Sequence, residues 1–275
     1  TLRFTANNAM SSAAAAGGLT ISPEVATADT ATVDLNGTTQ TVNALTGTSN
    51  GTLVLDNTSS SAATFRFGAN DSAIAFGGTS NGTVATAGSY TITDSGAGAL
   101  SIVKLGNTST TFGSHVVLTH QGTTSAEGGT FIINANLAGS VGLAASGGSN
   151  LQLNGGWTTA SGNLSLSSTG ASMLSLSGGI TSPNLVNSVT VGAGSTLSLL
   201  DGAGSQFANL TTLNLGNTGS GTVTLNLNVG DLTTSGDNLQ TDSFTLVTGG
   251  TLNLGNNITF NLTDAGLNPN ESYVL

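Results

Sequence analysis

The sequence predicts an all-β protein that winds as a right-handed parallel β-helix, a β-solenoid with roughly three short strands in each coil. Three observations support this prediction. Apolar and polar residues alternate with period two, short apolar clusters recur at even spacing, and runs with the 3.6-residue period of an amphipathic helix are absent.

The alternation is clearest near the carboxyl end of the chain. Within 213–229, "LNLGNTGSGTVTLNLNV", Leu or Val occupies the odd positions on either side of the central turn, and Asn or Thr lies between them. The segment 251–262, "TLNLGNNITFNL", nearly repeats this pattern. Because alternate residues of a strand point to opposite faces, we expect these odd positions of 213–229 to face a shared core.

Short apolar clusters recur at similar spacing through the rest of the chain. Gly, Ser, Asn and Thr fill the segments between the clusters, and these residues favour turns. The clusters begin at residues 53, 65, 74, 90, 100, 116, 131, 141, 151, 164, 173, 189, 197 and 213. Since strand and turn alternate without a break, we expect one continuous solenoid segment over 1–275.

One stretch departs from this alternation. The segment 7–18, "NNAMSSAAAAGG", contains four consecutive alanines followed by two glycines. Alanine favours helix and glycine ends it, so a single helical turn over 13–16 is one alternative. A loop of small residues is the other alternative, and we favour the loop.

Evenly spaced strands also occur in sandwiches, barrels and propellers, and the connections decide between them. A Greek-key sandwich needs some long crossing connections and usually aromatic core residues. This chain has short, similar turns and only 4% aromatic residues. Three strands per coil at this spacing predict roughly 25 to 35 residues in each coil and a rod roughly 40 to 55 Å long. Because such a rod needs caps, partners or further coils at its ends, we expect a segment of a longer chain.

Charge and composition disfavour several kinds of partner. Only 6% of the residues are charged, the formal net charge is −10, and the only Lys and Arg residues are Arg3, Arg66 and Lys104. No basic surface can therefore neutralise phosphates, and a nucleic-acid partner is not expected. No apolar run approaches the ~20 residues that span a bilayer, so we expect no membrane insertion by this segment. The chain has no cysteine, which excludes disulfides and thiolate metal sites.

Several of these motifs resemble a known family. "LGN" occurs at 105, 215 and 254, and two longer stretches, 128–156 and 249–275, combine glycine pairs with alternating strands. In this respect the chain resembles the secreted passenger regions of bacterial autotransporters, especially those with autotransporter-associated β-strand repeats. The resemblance implies an extracellular β-helical stalk of diverged repeats within a large surface protein, often an adhesin or a fibre component.

Polysaccharide lyases and phage tailspikes also use β-helices, so a carbohydrate-binding or polysaccharide-cleaving protein is the alternative. Cleavage would need carboxylates that converge. The acids are instead expected to be isolated in turns, although adjacent coils could bring Asp231 near Asp201 or Asp264. The acids considered are Asp34, Asp56, Asp71, Asp94, Glu127, Asp201, Asp231, Asp237, Asp242 and Asp264. We expect no catalysis and no cofactor.

Histidine and tryptophan give the remaining candidate sites. His115 and His120 are too few for a metal site, which needs three or four converging ligands, and we expect both to be exposed polar residues. Trp157, the single tryptophan, follows two glycines and is a candidate contact residue for another subunit or a sugar ring, with packing as the other interpretation. A groove that also held Tyr90 and several aspartates would favour the carbohydrate alternative.

Asparagine gives the candidate ladder residues. Asn107, Asn217 and Asn256 each follow a glycine. Asparagines at matching corners of successive coils can hydrogen-bond from one amide to the next. Alternatively, asparagine is used here because it tolerates the left-handed turn conformation, and both roles can hold together.

These observations together predict an extracellular structural rod, an adhesive stalk or fibre component of a bacterial surface protein. We expect it to associate with copies of itself or with neighbouring rods in a filament or surface assembly. Its hydroxyl-rich and amide-rich faces could also bind carbohydrate.

Overall fold

The computed structural model describes residues 1–10, 18–21, 30–47, 52–71, 74–76, 90–158, 164–180, 185–201, 206–216, 220–229, 242–255 and 257–264. Most of the segment 7–18 lies outside this part of the chain, so its two alternatives stay predictions. Of the segment 7–18, residues 7 and 8 form a turn.

The described residues form twenty-four strands, and every strand pair among them is parallel. Sheet 1 consists of β1 (Leu2–Arg3), β3 (Thr30–Asp34), β6 (Thr52–Asp56), β9 (Tyr90–Ile92) and β12 (Val116–Leu118). A separate short pair consists of β2 (Leu19–Ile21) and β5 (Leu45–Gly47).

Sheets 2 and 3 run almost the whole length of the molecule. Sheet 2 consists of β4 (Thr39–Val42), β7 (Ala63–Phe67), β10 (Leu100–Lys104), β13 (Thr123–Ala126), β15 (Gly142–Ala145), β17 (Leu164–Ser168), β19 (Val186–Val191), β21 (Gln206–Leu215) and β23 (Ser243–Leu254). Sheet 3 consists of β8 (Ile74–Phe76), β11 (Ser109–Phe112), β14 (Thr130–Ile133), β16 (Asn150–Leu153), β18 (Met173–Leu176), β20 (Thr196–Ser198), β22 (Val223–Val229) and β24 (Ile258–Asp264).

The order of the strands shows a coil that repeats along one axis. The chain passes from sheet 1 to sheet 2 to sheet 3 and then returns to sheet 1 beside its previous strand. The nine strands of sheet 2, together with the segment 4–10 that hydrogen-bonds to the first of them, make ten coils. Ten coils at ~4.8 Å per coil span about 43 Å, which lies within the predicted rod length. The prediction of a parallel β-helix is confirmed; its right-handed sense stays a prediction, in line with the general preference of parallel crossovers.

The central coils are shorter than predicted. Ser149 and Ser172 occupy the same corner of successive coils and are separated by 23 residues in sequence. Asn134 and Asn154, which also lie one coil apart, are separated by only 20 residues. The prediction for the length of a coil is therefore wrong for this part of the rod, because the turns between its strands contain only a few residues.

The cross-section changes along the rod. Sheet 1 is replaced after β12 by single bridges at Leu137, Trp157 and Ile180. Among the described residues of the last two coils, only sheets 2 and 3 continue, and the strands of sheet 2 lengthen to 10 and 12 residues in β21 and β23. In the described part of the carboxyl-terminal coils, sheet 2 therefore contains its longest strands.

The interior is a continuous stack of inward-facing apolar side chains. Aromatic rings fill the amino-terminal half, where Phe112 packs against Phe67 and Phe131 with ring centroids 5.5 and 4.9 Å apart. Farther along, the predicted inward face of 213–229 is buried at Leu213, Leu215, Val223, Leu225, Leu227 and Val229, as its alternation indicates. Each such side chain contributes roughly 1.5–3 kcal/mol relative to exposure.

Buried serines also stack from coil to coil. Ser149, Ser172 and Ser195 lie at the corner between sheets 2 and 3 in three successive coils. The Ser172 hydroxyl accepts from the Ser149 amide at 3.1 Å, and the Ser195 hydroxyl accepts from the Ser172 amide at 3.3 Å. These bonds satisfy backbone donors that the tight turn buries.

Candidate functional site

The most regular surface of the molecule is the outer side of sheet 2, which we call the hydroxyl face. Two columns of side chains run along it, one residue per coil. The first column contains Thr39, Thr64, Ser101, Thr123, Gly142, Ser165, Ser188, Thr212 and Thr251. The second contains Thr41, Arg66, Val103, Ser125, Ala144, Ser167, Thr190, Asn214 and Asn253.

The geometry of the hydroxyl face follows from the strands. Coils repeat every ~4.8 Å along the axis, and alternate residues of one strand lie about 6.7 Å apart, so the side chains form a two-dimensional grid. Most of them are half-buried by their neighbours. Such a grid can offer many weak hydrogen bonds to a surface that is equally regular.

The hydroxyl face carries very little charge. Its one ionised residue is Arg66, whose Nη2 bonds to Oε2 of Glu127 at 2.5 Å. Arg66 and Glu127 lie two coils apart, and the intervening residue of the second column, Val103, is only 6% exposed. Charge on this face is therefore paired, and the face is close to neutral.

Asn107, the one predicted ladder residue within the described structure, contacts a carboxylate. Its backbone N–H donates to Asp71 Oδ1, and its Nδ2 donates to Asp71 Oδ2 at 3.3 Å, one coil away. The left-handed residue of this turn is Gly106, with φ of 70°, rather than Asn107. Asn217 and Asn256 lie outside the described residues, so the ladder through these three positions stays a prediction.

Amide pairs between coils occur elsewhere in the structure. Asn253 Nδ2 donates to Asn214 Oδ1 at 2.5 Å, and Asn261 Nδ2 donates to Asn226 Oδ1 at 2.9 Å. At the corner after sheet 3, Asn154 Nδ2 donates to Asn134 Oδ1 at 2.8 Å. Sequence reasoning missed these pairs, although Asn214 and Asn253 occupy the same place in the two "LNLG" repeats.

Trp157 lies in the core rather than on the surface. It is fully buried, and its Nε1 donates to the carbonyl oxygen of Ser140 at 3.1 Å. Tyr90 is buried too and packs edge-on against Phe76 at 5.1 Å. Neither ring is available to stack on a sugar or to contact another subunit.

The two histidines do not converge. His115 is exposed as expected, but the expectation of exposure is wrong for His120, which is fully buried. The Nε2 of His120 lies 2.8 Å from Thr124 Oγ1, and its Nδ1 is buried without a hydrogen-bond partner. Burial lowers the pKa of His120 to about 3, so the ring is neutral at physiological pH. His120 continues the alternate buried positions Val116 and Leu118 beyond the end of β12, so the alternation in the sequence contained the signal for its burial.

Three acids line the corner between sheets 1 and 2. Asp34 and Asp56 are register partners, so the prediction that the acids are isolated is wrong here. Each of the three accepts from a backbone N–H of the following coil: Asp34 from Thr58 at 3.1 Å, Asp56 from Ser95 at 2.9 Å and Asp94 from Gln121 at 2.7 Å. These carboxylates brace the turns.

The pKa of Asp34 reflects this bracing. Burial raises its pKa, but hydrogen bonds from Thr58, Asn36 and Arg3 outweigh burial and leave the pKa below its usual value. A carboxyl group held ionised by so many donors is poorly suited to act as a general acid near neutral pH.

A second pair of acids meets around Asn228. Its Nδ2 donates to Asp201 Oδ1 at 3.0 Å, and its backbone N–H donates to Asp242 Oδ2 at 2.7 Å. The predicted neighbour of Asp201, Asp231, lies outside the described residues, as does Asp237. Both carboxylates accept from Asn228, whose amide groups do not titrate, so this contact cross-links two coils.

Lys104 is a buried cation inside the corner between sheets 2 and 3. Its Nζ donates to the carbonyl oxygens of Gly106 at 2.7 Å, Gly128 at 2.8 Å and Thr108. Burial lowers the pKa of Lys104 to about 8, and the Asp71 carboxylate partly offsets this effect. The side chain ties two coils together and does not reach the surface.

Among the residues that the structure describes, no three His, Cys, Asp or Glu side chains are grouped so as to hold a metal ion. The part of the chain that the structure describes has no helix long and apolar enough to cross a membrane. The chain matches no known family model, no curated protein and no solved structure.

Proposed function

We propose that this protein is an extracellular structural rod, an adhesive stalk or fibre component of a bacterial surface protein that performs no catalysis. The observation that supports this role most directly is the unbroken stack of parallel coils with a nearly neutral hydroxyl face along it. The resemblance to autotransporter passenger regions supports the location outside the cell.

The function of such a rod is mechanical. Successive coils are joined by backbone hydrogen bonds in two or three sheets at once, and separating one coil breaks all of them together. Side chains add further links between coils, such as Lys104 at one corner and the Asp34 carboxylate at another. A protease would need several coils to open before it could bind an extended stretch of the chain.

The hydroxyl face supplies the adhesive surface in this proposal. Ser or Thr occupies most positions of its two columns, and Asn ends the second column, so the face presents donors and acceptors with almost no net charge. Uncharged partners with regular hydrogen-bonding groups, such as other rods or neutral polysaccharides, suit this surface best.

Carbohydrate binding is the second candidate, and the hydroxyl face is the observation that favours it. Cleavage of the polysaccharide has weaker support, since each described acid at the sheet 1–sheet 2 corner is engaged by backbone donors. Binding would therefore depend on hydroxyl and amide groups rather than on stacked aromatic rings.

Electron microscopy and a polysaccharide assay on the same preparation test the proposal. We expect elongated particles and no release of reducing sugars from neutral polysaccharides. If sugars are released at a rate that depends on protein concentration, the structural role is overturned.

A matched pair of variants tests the adhesive surface. S167R places a long cation on the hydroxyl face, whereas T111R places the same side chain on the outer side of sheet 3. We expect S167R alone to weaken binding to insoluble neutral polysaccharide or to neighbouring rods. Equal loss in both variants, or in neither, would show that adhesion lies elsewhere.

A further inference from the structure

A cluster of buried polar side chains lies at the corner between sheets 1 and 2. It consists of His120, Thr124 and Ser140, each at most 1% exposed, and we call it the His120 cluster. The Nε2 of His120 lies 2.8 Å from Thr124 Oγ1, and Thr124 Oγ1 donates to Ser140 Oγ at 3.4 Å. Because Val141 N–H donates to the Gln121 carbonyl oxygen, His120 and Ser140 belong to successive coils. The cluster therefore joins two coils inside the rod.

The hydrogens of the cluster determine which nitrogen of His120 can take up a proton. The Ser140 hydroxyl donates its one hydrogen to a main-chain carbonyl, that of Gly122 at 2.7 Å or Gly142 at 2.9 Å. Its oxygen accepts from Thr124, and the Thr124 oxygen accordingly accepts from His120 Nε2–H. A second proton must then go to Nδ1, which is buried without a hydrogen-bond partner. A charged His120 ring would thus hold a buried donor that has no acceptor.

The titratable groups around the cluster do not compensate for a proton on His120. Between residues 90 and 158 the other titratable side chains are Tyr90, Asp94, Lys104, His115 and Glu127. Asp94 lies in the coil below at this corner, and its Oδ2 already accepts from the N–H groups of Leu100 and Gln121 at 2.9 and 2.7 Å. Lys104 bonds at the corner between sheets 2 and 3, and Glu127 pairs with Arg66 on the outer side. Tyr90 packs against Phe76, and His115 is exposed.

Backbone pairing between strands is reduced beside the cluster. β12, which ends two residues before His120, is the last strand of sheet 1. From there on, this side of the rod is joined by single bridges, from Leu118 to Leu137, from Leu137 to Trp157 and from Trp157 to Ile180. Opening of this corner therefore separates fewer strand pairs than opening of a coil that lies in all three sheets.

From these observations we propose that the His120 cluster is an acid-sensitive switch. When His120 takes up a proton, the corner made of 119–122 and 138–141 opens, while the coils on either side stay stacked. Water then reaches Nδ1 and supplies the acceptor that the closed cluster lacks. This inference goes beyond the proposed role as a rod, because it adds a response to acidity at one place in the stack.

The direction of the pH dependence follows from the burial of the ring. Burial lowers the pKa of His120 to about 3, whereas the ring in an open corner regains the ordinary value of 6.5. The closed corner is therefore fully stable above pH 6.5 and is destabilised progressively below it, and the population of the open corner should rise about fiftyfold between pH 6.5 and 4.5. Over this range Asp34, with a pKa below its usual value, stays ionised, and Lys104, with a pKa of about 8, stays protonated.

Hydrogen exchange of individual amides in the whole chain, corrected for the intrinsic effect of pH on exchange, tests the proposal. The N–H groups of Ala138 and Val141 bond across the corner, to the carbonyl oxygens of Leu118 and Gln121. We expect their protection factors to fall about fiftyfold from pH 6.5 to 4.5. The protection factors of Leu105 and Gly192, whose N–H groups bond to Phe67 and Ser168 in other coils, should stay unchanged.

Trp157 supplies a second, optical signal. It is the single tryptophan, and its Nε1 donates to the Ser140 carbonyl oxygen at 3.1 Å. We expect its fluorescence emission to move to longer wavelength in acid, as water enters the corner. H120Q should abolish both this shift and the change in protection, whereas H115Q, at the exposed histidine, is the matched control and should retain both.

The dependence of protection on pH keeps the test valid even if H120Q does not fold. In the unsubstituted chain, protection at Val141 should fall about tenfold from pH 5.5 to 4.5, as one proton requires. Protection that does not depend on pH, that falls equally at Leu105 and Gly192, or that falls as much in H120Q would overturn the inference. These outcomes do not depend on polysaccharide binding or particle shape, so the proposed function stands or fails separately.

Discussion

Gly155 lies at a corner where two coils come into unusually close contact. A Cβ built on it would lie 1.9 Å from the carbonyl oxygen of Ala135 in the preceding coil. We therefore expect Gly155→Ala to lower the free energy of unfolding by about 1–3 kcal/mol, because the backbone must shift to relieve the overlap. Urea denaturation followed by circular dichroism measures this change.

The adjacent glycine is the control for this prediction. A Cβ on Gly156 would meet its nearest atoms at 3.6 Å, an ordinary contact. Gly156→Ala should change stability by no more than about 0.4–1 kcal/mol, in the stabilising direction. Equal destabilisation by both substitutions would contradict close coil contact at Gly155.

His120 makes stability depend on pH in a predictable direction. Its pKa falls from an ordinary value of 6.5 to about 3 through burial, so the unfolded chain takes up the proton first as the pH falls. The contribution of this group to stability is therefore complete above pH 6.5 and is lost progressively below it. Between pH 6.5 and 4.5 this one group should cost about 2 kcal/mol, at about 1.4 kcal/mol per pKa unit.

Two substitutions isolate the effect of His120. H120Q should remove this part of the pH dependence, whereas H115Q, at the exposed histidine, should retain it. Denaturation of the three proteins at pH 6.5 and 4.5 measures the difference. An unchanged slope in H120Q would show that His120 is accessible to protons in the folded state.

At the scale of the strands and their corners, Lys104 links two successive coils. Its ammonium group donates to three main-chain carbonyls, and Lys104→Met would take this donor away from all three, leaving Thr108 only the Thr130 N–H. We expect a loss of about 2–4 kcal/mol in the free energy of unfolding.

Arg66→Met is the control for Lys104→Met, because it also replaces a cation with methionine. Arg66 makes a partly exposed ion pair with Glu127, and such pairs contribute less than about 1 kcal/mol. Thermal and urea denaturation of both variants should separate them clearly. A smaller effect at Lys104 than at Arg66 would contradict a role of the lysine in joining coils.

The strands were predictable from the sequence where side-chain alternation was strong. In 213–229, Leu213, Leu215 and Val223 are buried as their spacing indicates, since each strand has one face inside and one outside. The segment 251–262 nearly repeats this alternation, and its Leu252 is the register partner of the buried Leu213.

Coil length and polar positions were harder to predict. Alternation within a strand says nothing about which residues of adjacent coils become partners, so the pairing of Asn214 with Asn253 was missed. The interior also accepts polar residues when a corner supplies partners. Lys104 is buried for this reason, and His120 is buried with Thr124 beside one ring nitrogen.

The whole molecule is a stack of parallel coils. Segment 4–10 hydrogen-bonds to β4, the first strand of sheet 2, and β23 is the last described strand of that sheet. Between them the hydroxyl face runs along all nine strands of sheet 2. The proposed role as a rod with an adhesive side rests on these features.

Distances between spin labels along the hydroxyl face test the stack of coils most directly. Cysteine pairs that join Thr41 to Ser125, Ser167 or Asn214 span three, five and seven coil intervals. At ~4.8 Å per coil, double electron–electron resonance should give backbone separations of about 14, 24 and 34 Å, after allowance for the label linkers. Distances that do not increase with the number of coils would contradict the solenoid.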